Sequence, residues 1–248
     1  MTVIKSPQEV AIMRQAGKIV ATVLQRLREE IKPGIKTSHL DSVAANELQR
    51  CGAKASFKGY RGFPACLCVS VNDEIVHGIP GERRLNEGDI VSLDFGAIVD
   101  GFHGDGAITV GVGSISSKTK ELLTVTEAAL MVGIGAARNG TRLGGVSAAI
   151  QNYVEKRGFS VVREYSGHGV GRDLHEDPLV PNFGSPGEGP ILRKGMTLAV
   201  EPMVTVGDWR TRLAENKWTV LTADGSLAAH FEHTIAVSED EAEILTLL

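Results

Sequence analysis

Residues 90–112, IVSLDFGAIVDGFHGDGAITVGV, predict a β-hairpin, because two apolar runs flank the dipeptide Asp100-Gly101. Asp-Gly between runs of this kind is a strong signal for a two-residue turn. With that turn, Val99 pairs with Phe102, and the register of the whole hairpin follows by counting back from this pair.

The register brings two carboxylates together. It places Gly96 opposite Asp105, and Asp94 lies two residues from Gly96 on the same face. Asp94 and Asp105 are then diagonal neighbours, with backbones about 7–8 Å apart. Repulsion between them across an apolar hairpin favours a bridging cation. The alternative is that one Asp belongs to a loop and is solvated.

Three further groups stand in unusual settings for polar residues. Glu201 ends the apolar run Thr197–Val200 and precedes a proline, and Glu232 is embedded in a strand pattern. His168 lies between two glycines, which allow close backbone approach and suit a ligand or a catalytic group. A reading in which the acids are solvated surface groups stays open at this point.

Two helices are predicted near the amino terminus. Ser6-Pro7-Gln8-Glu9 has the pattern of a capped helix start, and the helix should end before Pro33-Gly34. A second helix should begin near Thr37-Ser38 and run to about Arg50, with Gly52 after its end.

The chain resembles itself at an offset of 106 to 107 residues. Ile31–Gly34 corresponds to Ala137–Gly140, and Glu87–Asp94 corresponds to Lys194–Glu201. An internal duplication in one domain explains this similarity, and chance likeness of two αβ units is the alternative. A second Asp-Gly, at 224–225, predicts another hairpin between residues 218–222 and 226–237. Antiparallel strands beside helices favour the α+β class.

Composition excludes several classes of protein. The 248 residues are 42% hydrophobic with a formal charge of −4, which is ordinary for a globular domain and gives no basis for nucleic-acid or membrane binding. No apolar run could span a bilayer, and the amino terminus has no signal core, so we expect a cytoplasmic protein. The odd count of three cysteines argues against a disulfide framework, and Cys66 and Cys68 are interpreted as buried strand residues.

The candidate donors favour metal-dependent hydrolysis. Oxygen-rich ligands with one imidazole and no thiolate suit divalent Mn, Fe, Co or Zn, and four carboxylates favour two ions over one. Two such ions can activate a bridging water against an amide or an ester. The sequence contains neither a phosphate-binding Gly-Lys-Ser/Thr loop nor a Gly-x-Ser-x-Gly elbow.

Five segments, in this order, resemble the type I methionine aminopeptidases over essentially the whole chain. They are VNDEIVHGIP (71–80), DGFHGD (100–105), GHGVG (167–171), EPM (201–203) and EHT (232–234). The resemblance implies the "pita-bread" fold, an α+β arrangement of two pseudo-symmetric halves around a central antiparallel sheet. We therefore expect one catalytic domain over 1–248, with halves of about 1–115 and 116–248.

The resemblance also implies residue roles. The implied metal ligands are Asp94, Asp105, His168, Glu201 and Glu232. Asp94 would chelate one ion, Asp105 and Glu232 would bridge both, and His168 and Glu201 would complete the second. Glu201 would also take the proton of the water, and His77 and His175 would contact substrate without binding metal. The implied methionine pocket consists of Tyr60, Phe63, Cys68, Leu174 and Trp218.

The family removes the first methionine of peptides and nascent chains, preferably before a small second residue, with two ions of Co, Mn, Fe or Zn. It implies a monomer that works near the ribosome, although the sequence has no motif for ribosome contact. The chain resembles the short bacterial form without an added zinc region. Three positions depart from the family pattern: Leu174 replaces a common aromatic residue, and Gly96 and Gly106 replace hydroxyl residues.

Other members of the pita-bread fold are the alternatives. Prolidases and X-Pro aminopeptidases usually carry a large amino-terminal domain, and type II methionine aminopeptidases carry a helical insertion; we expect neither in 248 residues. A binding protein on the same fold would typically have lost metal ligands, whereas all five are present here.

Overall fold

The computed structural model describes residues 2–248, which form four α-helices, one short 3-10 turn at Tyr60–Gly62 and fifteen strands. The helices are Pro7–Glu30 (α1), Thr37–Cys51 (α2), Ser117–Ala136 (α3) and Leu143–Glu155 (α4). The strands are Lys54–Ala55 (β1), Leu67–Val71 (β2), Glu74–Val76 (β3), Ile90–Val99 (β4), Phe102–Gly111 (β5), Ser160–Val161 (β6), Gly167–Gly169 (β7), Glu176–Val180 (β8), Thr197–Val200 (β9), Met203–Thr205 (β10), Thr211–Leu213 (β11), Val220–Thr222 (β12), Ala228–His230 (β13), Glu232–Ala236 (β14) and Glu243–Ile244 (β15).

Local chemistry fixes the ends of the first two helices. At the start of α1, Ser6 Oγ accepts a hydrogen bond from the Glu9 amide, and the Glu9 carboxylate accepts one from the Ser6 amide at 2.9 Å. This reciprocal pair satisfies amides that the helix itself leaves unpaired. Gly52 ends α2 in the left-handed conformation, with φ of 66°. Both predicted helices are confirmed.

A nine-stranded sheet forms the centre of the molecule. Its main path runs β1-β4-β5-β14-β9-β7-β8, with β2 also pairing with β4 and β15 with β14. Every strand pairing within residues 2–248 is antiparallel. In the central hairpin Val99 pairs with Phe102 and Gly96 pairs with Asp105, so the predicted register is confirmed.

The second predicted hairpin is wrong. Val220–Thr222 pairs with β11 and β3, which occupy both of its edges, and Ala228–His230 pairs with β10 instead. The predicted long strand is also divided, because β13 ends at His230 and β14 begins at Glu232. Asp224 still makes a turn: its carboxylate accepts hydrogen bonds from the Asp208 and Ser226 amides. The Asp-Gly dipeptide thus predicted the turn correctly, but it did not predict which strands pair with the residues on either side.

Two apolar cores lie between the helices and the sheet. One joins α1 and α2 to β2 and β4, and the other joins α3 and α4 to β9 and β14. Helix α1 crosses β5 very closely, since a Cβ added at Gly104 would lie 2.8 Å from the Gly17 amide nitrogen. This close approach seats α1 against the strand that carries Asp105.

Matching hydrogen bonds occur in the two halves. The Gly34 amide donates to the Leu85 carbonyl at 2.7 Å, and the Gly140 amide donates to the Leu192 carbonyl at 2.9 Å. The offsets between these pairs are 106 and 107 residues, as in the sequence similarity. They support the proposal that the two halves arose by duplication. None of the helices in residues 2–248 combines the length and apolar character that a bilayer crossing requires.

Candidate metal centre and substrate pocket

Three adjacent strands present carboxylates on one face of the sheet. Ala107 of β5 pairs with Asp94 on one side and with Glu232 on the other. Residues directly opposite in antiparallel strands share a face, and so do residues two apart on one strand. Asp94, Asp105 and Glu232 therefore point to the same side, at the middle of a largely apolar sheet.

The next strands add an imidazole and a fourth carboxylate. Ala199 of β9 pairs with both His168 and Thr234, and Glu201 follows Ala199 by two residues. His168 Nε2 lies 3.5 Å from Glu201 Oε1 and 3.8 Å from Asp105 Oδ2. The sheet thus brings all five predicted ligands together.

The tautomer of His168 is set by its own strand. Its Nδ1 lies 2.8 Å from the Gly169 carbonyl oxygen, which can only accept a hydrogen bond, so Nδ1 carries the proton. Burial lowers the pKa of His168 to about 4, which keeps the ring neutral. The lone pair of Nε2 therefore faces the acids, and a cation or a proton between them removes the repulsion that ionised carboxylates would cause.

The carboxylates lack the partners that buried charges need. Asp94 Oδ1, Asp105 Oδ1 and Glu232 Oε1 are buried and have no hydrogen-bond partner within residues 2–248. Burial raises the pKa of Asp105 to about 7. Burial, and then the neighbouring acids, raise the pKa values of Asp94, Glu201 and Glu232 well above the ordinary range. In the absence of a cation, burial and mutual repulsion therefore favour the protonated form of these groups.

This donor set fits divalent cations. Ligand atoms of Asp105, His168 and Glu232 all lie within 4.8 Å of one another. Oxygen donors with one neutral imidazole suit Mn, Fe, Co or Zn. A cation would use the Nε2 lone pair and the unpartnered oxygens together, and would replace the retained protons.

Metal removal is expected to make stability fall as pH rises above neutrality. With raised carboxyl pKa values, the metal-free folded chain holds more protons than the unfolded chain, so its free energy of unfolding decreases with pH. Buried histidines with lowered pKa values have the opposite effect, but only below the unfolded histidine pKa of about 6.5. The carboxyl effect therefore governs this centre between about pH 6.5 and 8, as pH rises through the folded Asp105 pKa of about 7, and each lost kcal/mol lowers Tm by about 2–4 °C.

Calorimetric melting of metal-free protein across that range tests this prediction. Protein saturated with Mn²⁺ is the control, and its Tm should stay nearly constant because cations replace the protons. A Tm of the metal-free protein that rises between about pH 6.5 and 8, on either side of the Asp105 pKa, would contradict the assignment.

Two more histidines border the centre. His77 has a positive φ of 60°, rare for a non-glycine residue, and its ring meets Tyr165 edge-on. His175 precedes β8, and its ring centroid lies 4.2 Å from that of His168. The Tyr60 hydroxyl lies 2.9 Å from His175 Nδ1, and the two rings stack.

The predicted pocket residues gather beside the acids. Phe63, Cys68 and Leu174 are buried in one apolar cluster, with Tyr60 and Trp218 partly buried against it. The cavity has a volume of about 150 Å³, and the acids, His77 and His175 also line it. Cys68 pairs with Asp94 across β2 and β4, and burial, then Asp94, keep the pKa of its thiol well above the usual value. The thiol is therefore neutral, which suits an apolar wall.

One of the three departures has a physical explanation. A Cβ added at Gly96 would lie 2.6 Å from the Cβ of Ser56, so glycine makes room for that side chain. Ser56 Oγ in turn lies 2.9 Å from His103 Nδ1. Ser56 thus supplies a hydroxyl beside Gly96, next to the hairpin that carries Asp94 and Asp105. Leu174, the second departure, is 3% exposed and closes one side of the pocket.

Two polar residues near the centre were not predicted. His230 is fully enclosed, with Nε2 3.6 Å from Glu201 Oε2 and 4.0 Å from Glu232 Oε2. Asn182 is also buried, and its Nδ2 donates to the Glu201 backbone carbonyl at 3.0 Å. His230 has one weak sequence signal, since it precedes Glu232 by two residues. Asn182 has none, because it comes from a loop distant in sequence.

Comparison with known proteins places this arrangement in a family. The profile of Metallopeptidase family M24 matches residues 11–239. Over 246 residues the chain is 54% identical to methionine aminopeptidase 1 of Bacillus subtilis, with 99% of each chain covered.

Solved structures agree. The crystal structure of methionine aminopeptidase from Thermotoga maritima matches with a TM-score of 0.99 at 49% identity, over 100% of both chains. Prolidase from Pyrococcus furiosus matches all of this chain and 66% of its own, with a TM-score of 0.82 at 22% identity, which indicates a shared fold alone. The predicted α+β pita-bread fold is confirmed.

Proposed function

The chain belongs to the methionine aminopeptidases of metallopeptidase family M24, and on that premise we propose that it removes the amino-terminal methionine of peptides and nascent proteins with two divalent ions. A preference for a small second residue is part of the same proposal and rests on the family. The ions would be held by Asp94, Asp105, His168, Glu201 and Glu232, with Asp105 and Glu232 shared between them.

The observation that carries the proposal is the cluster of buried acids around His168. The lone pair of a neutral imidazole lies within 4.8 Å of ligand atoms of Asp105 and Glu232, and three carboxylate oxygens of the cluster are buried and unpartnered beside an apolar cavity. When bound, divalent ions supply a water nucleophile at neutral pH and positive charge opposite the oxyanion that develops.

Glu201 is proposed as the general base. Its side chain is 12% exposed, compared with 5% for Asp105 and 3% for Glu232. That exposure gives it access to a water molecule in the cavity. It takes a proton as the water oxygen attacks the scissile carbonyl carbon, and it returns the proton to the amine that leaves when the C–N bond breaks.

His77 and His175 are proposed to bind the reacting peptide. Both line the cavity that contains the acids. If the Tyr60 hydroxyl donates to His175 Nδ1, the ring carries its own proton on Nε2, which is then free to donate to the oxyanion. His77, whose backbone has the unusual positive φ of 60°, lines the same cavity.

The apolar end of the cavity is proposed to bind the methionine side chain. Aromatic rings favour contact with a thioether sulfur, and Phe63 and Trp218 meet here edge to face at 5.2 Å. The same cavity is lined by the apolar cluster and by the acids, so a side chain at its apolar end would lie next to the candidate metal centre. Action on nascent chains also leads us to propose a monomer that works in the cytoplasm near the ribosome.

A dipeptide panel tests this function against the other enzymes of the fold. We expect cleavage of Met-Ala and Met-Gly, weaker cleavage of Met-Leu, and none of Ala-Pro. Cleavage of Ala-Pro but not Met-Ala would replace the proposal with a prolidase or X-Pro activity, for which the shared fold with prolidase is the supporting observation.

A further inference from the structure

His230 is a buried imidazole with no role in the mechanism above. Its residue is 1% exposed, and neither ring nitrogen has a hydrogen-bond partner within residues 2–248. An unpaired buried polar group costs about 1–3 kcal/mol, so a histidine that persists in this position requires a compensating interaction.

The backbone of His230 is fixed, so only its ring can adjust. The Thr109 hydroxyl accepts from the His230 amide at 2.9 Å and donates to its carbonyl at 2.7 Å. Met203 pairs with His230 across β10 and β13. These contacts hold the backbone in place, and the ring lies beside the carboxylates of Glu201 and Glu232.

The two oxygens nearest to Nε2 can only accept when ionised. Nε2 lies 3.6 Å from Glu201 Oε2 and 4.0 Å from Glu232 Oε2. A neutral imidazole carries one N–H and one lone pair, and a lone pair directed at carboxylate oxygens would be repulsive. Protonation at Nε2 is thus the favourable tautomer. The distance from Nε2 to Glu201 Oε2, 3.6 Å, is just longer than a hydrogen bond. A shift of several tenths of an ångström would bring the two atoms within hydrogen-bond distance.

We infer that His230 positions Glu201, by donating a hydrogen bond from Nε2 to Glu201 Oε2. The other oxygen, Oε1, lies 3.5 Å from His168 Nε2 and remains turned to the metal centre. Asn182 holds the backbone of Glu201 at its carbonyl, and His230 holds the far end of the side chain. The inference rests on the proposed role of Glu201 as base.

Two substitutions separate the hydrogen bond from packing. His230→Leu removes both nitrogens and keeps a similar volume, whereas His230→Gln places an amide N–H near the position of Nε2. His233→Leu is the matched control, because His233 is three residues away, is partly buried, and bonds to Thr246 Oγ1 instead of the carboxylates. Removing a hydrogen-bond partner that orients a metal-site group typically lowers metal affinity or activity by about 10–100-fold.

We expect His230→Leu to lower kcat by about 10–100-fold, with KM nearly unchanged and metal content as in the unmodified enzyme. His230→Gln should recover most of kcat, and His233→Leu should leave kcat unchanged. A purely packing role predicts equal losses in both His230 variants, and that result would overturn the inference.

A spectroscopic readout is independent of turnover. In protein loaded with diamagnetic Zn²⁺, long-range ¹H–¹⁵N correlation spectra should show His230 protonated at Nε2, and this signal should be absent in His230→Leu. An unprotonated Nε2 together with loss of an ion in His230→Leu would identify His230 as a ligand and overturn the inference. If loaded enzyme cleaved no peptide, the proposed function would fail, but the spectrum would still decide whether this hydrogen bond exists.

Discussion

Replacing Asp105 with alanine is expected to abolish both metal binding and peptidase activity. Asp105 lies at the middle of the candidate centre, with Oδ2 3.8 Å from His168 Nε2 and Oδ1 unpartnered. Its loss removes a donor that both ions are proposed to share. Removing a residue that only orients a metal ligand already lowers metal affinity by about 10–100-fold. Removing a ligand proposed to be shared by both ions should therefore lower Mn²⁺ affinity by more than about 100-fold.

Calorimetric titration of metal-free protein with Mn²⁺ measures this effect, and Glu232→Ala should behave alike. Asp240→Ala is the control, since Asp240 is an exposed aspartate in the loop after β14. Unchanged Mn²⁺ affinity in both Asp105→Ala and Glu232→Ala would contradict the metal centre. It would indicate instead that these acids are solvated groups without a ligand role. Circular dichroism of each variant at the titration pH checks that the chain is folded.

Replacing Glu201 with glutamine is expected to lower kcat by about 10²–10⁴-fold, the usual contribution of a general base. Glutamine matches glutamate in size and can still donate an oxygen to a cation, but it cannot accept the proton of the water. KM should change much less than kcat, because the apolar pocket is untouched. Steady-state kinetics on Met-Ala at saturating Mn²⁺ measure both parameters.

Glu127→Gln, an exposed glutamate on α3, is the matched control and should retain full kcat. Metal content is measured beside the kinetics, so that loss of an ion is distinguished from loss of the base. If Glu201→Gln bound two ions and kept full kcat, another group would have to take the proton.

Local signals in the sequence were sufficient for the elements that carry the site. The capping box at Ser6 and the Asp100-Gly101 turn depend on neighbours within a few residues, so helix start and hairpin register could be read directly. That register already placed Asp94 beside Asp105. The grouping of Glu201, Glu232 and His168 with them needed the family resemblance, because it depends on pairing between distant strands.

The wrong hairpin and the unpredicted residues have a common physical cause. The strands on either side of Asp224 pair with strands that are distant in sequence: β12 pairs with β3, and β13 pairs with β10. No pattern near Asp224 could reveal these partners. His230 and Asn182 matter because of what surrounds them in three dimensions. Ser56 is similar, since only the close approach of Gly96 shows where its hydroxyl goes.

The most direct test of the central claim is a titration of metal-free protein with Mn²⁺, Co²⁺, Fe²⁺ or Zn²⁺ during hydrolysis of a Met-Gly-Ser peptide. We expect no activity without metal, full activity when two ions are bound per chain, and release of free methionine as the amino-terminal product. Tight binding of these ions without turnover of the peptide would contradict the account, and would indicate a binding protein built on the same fold.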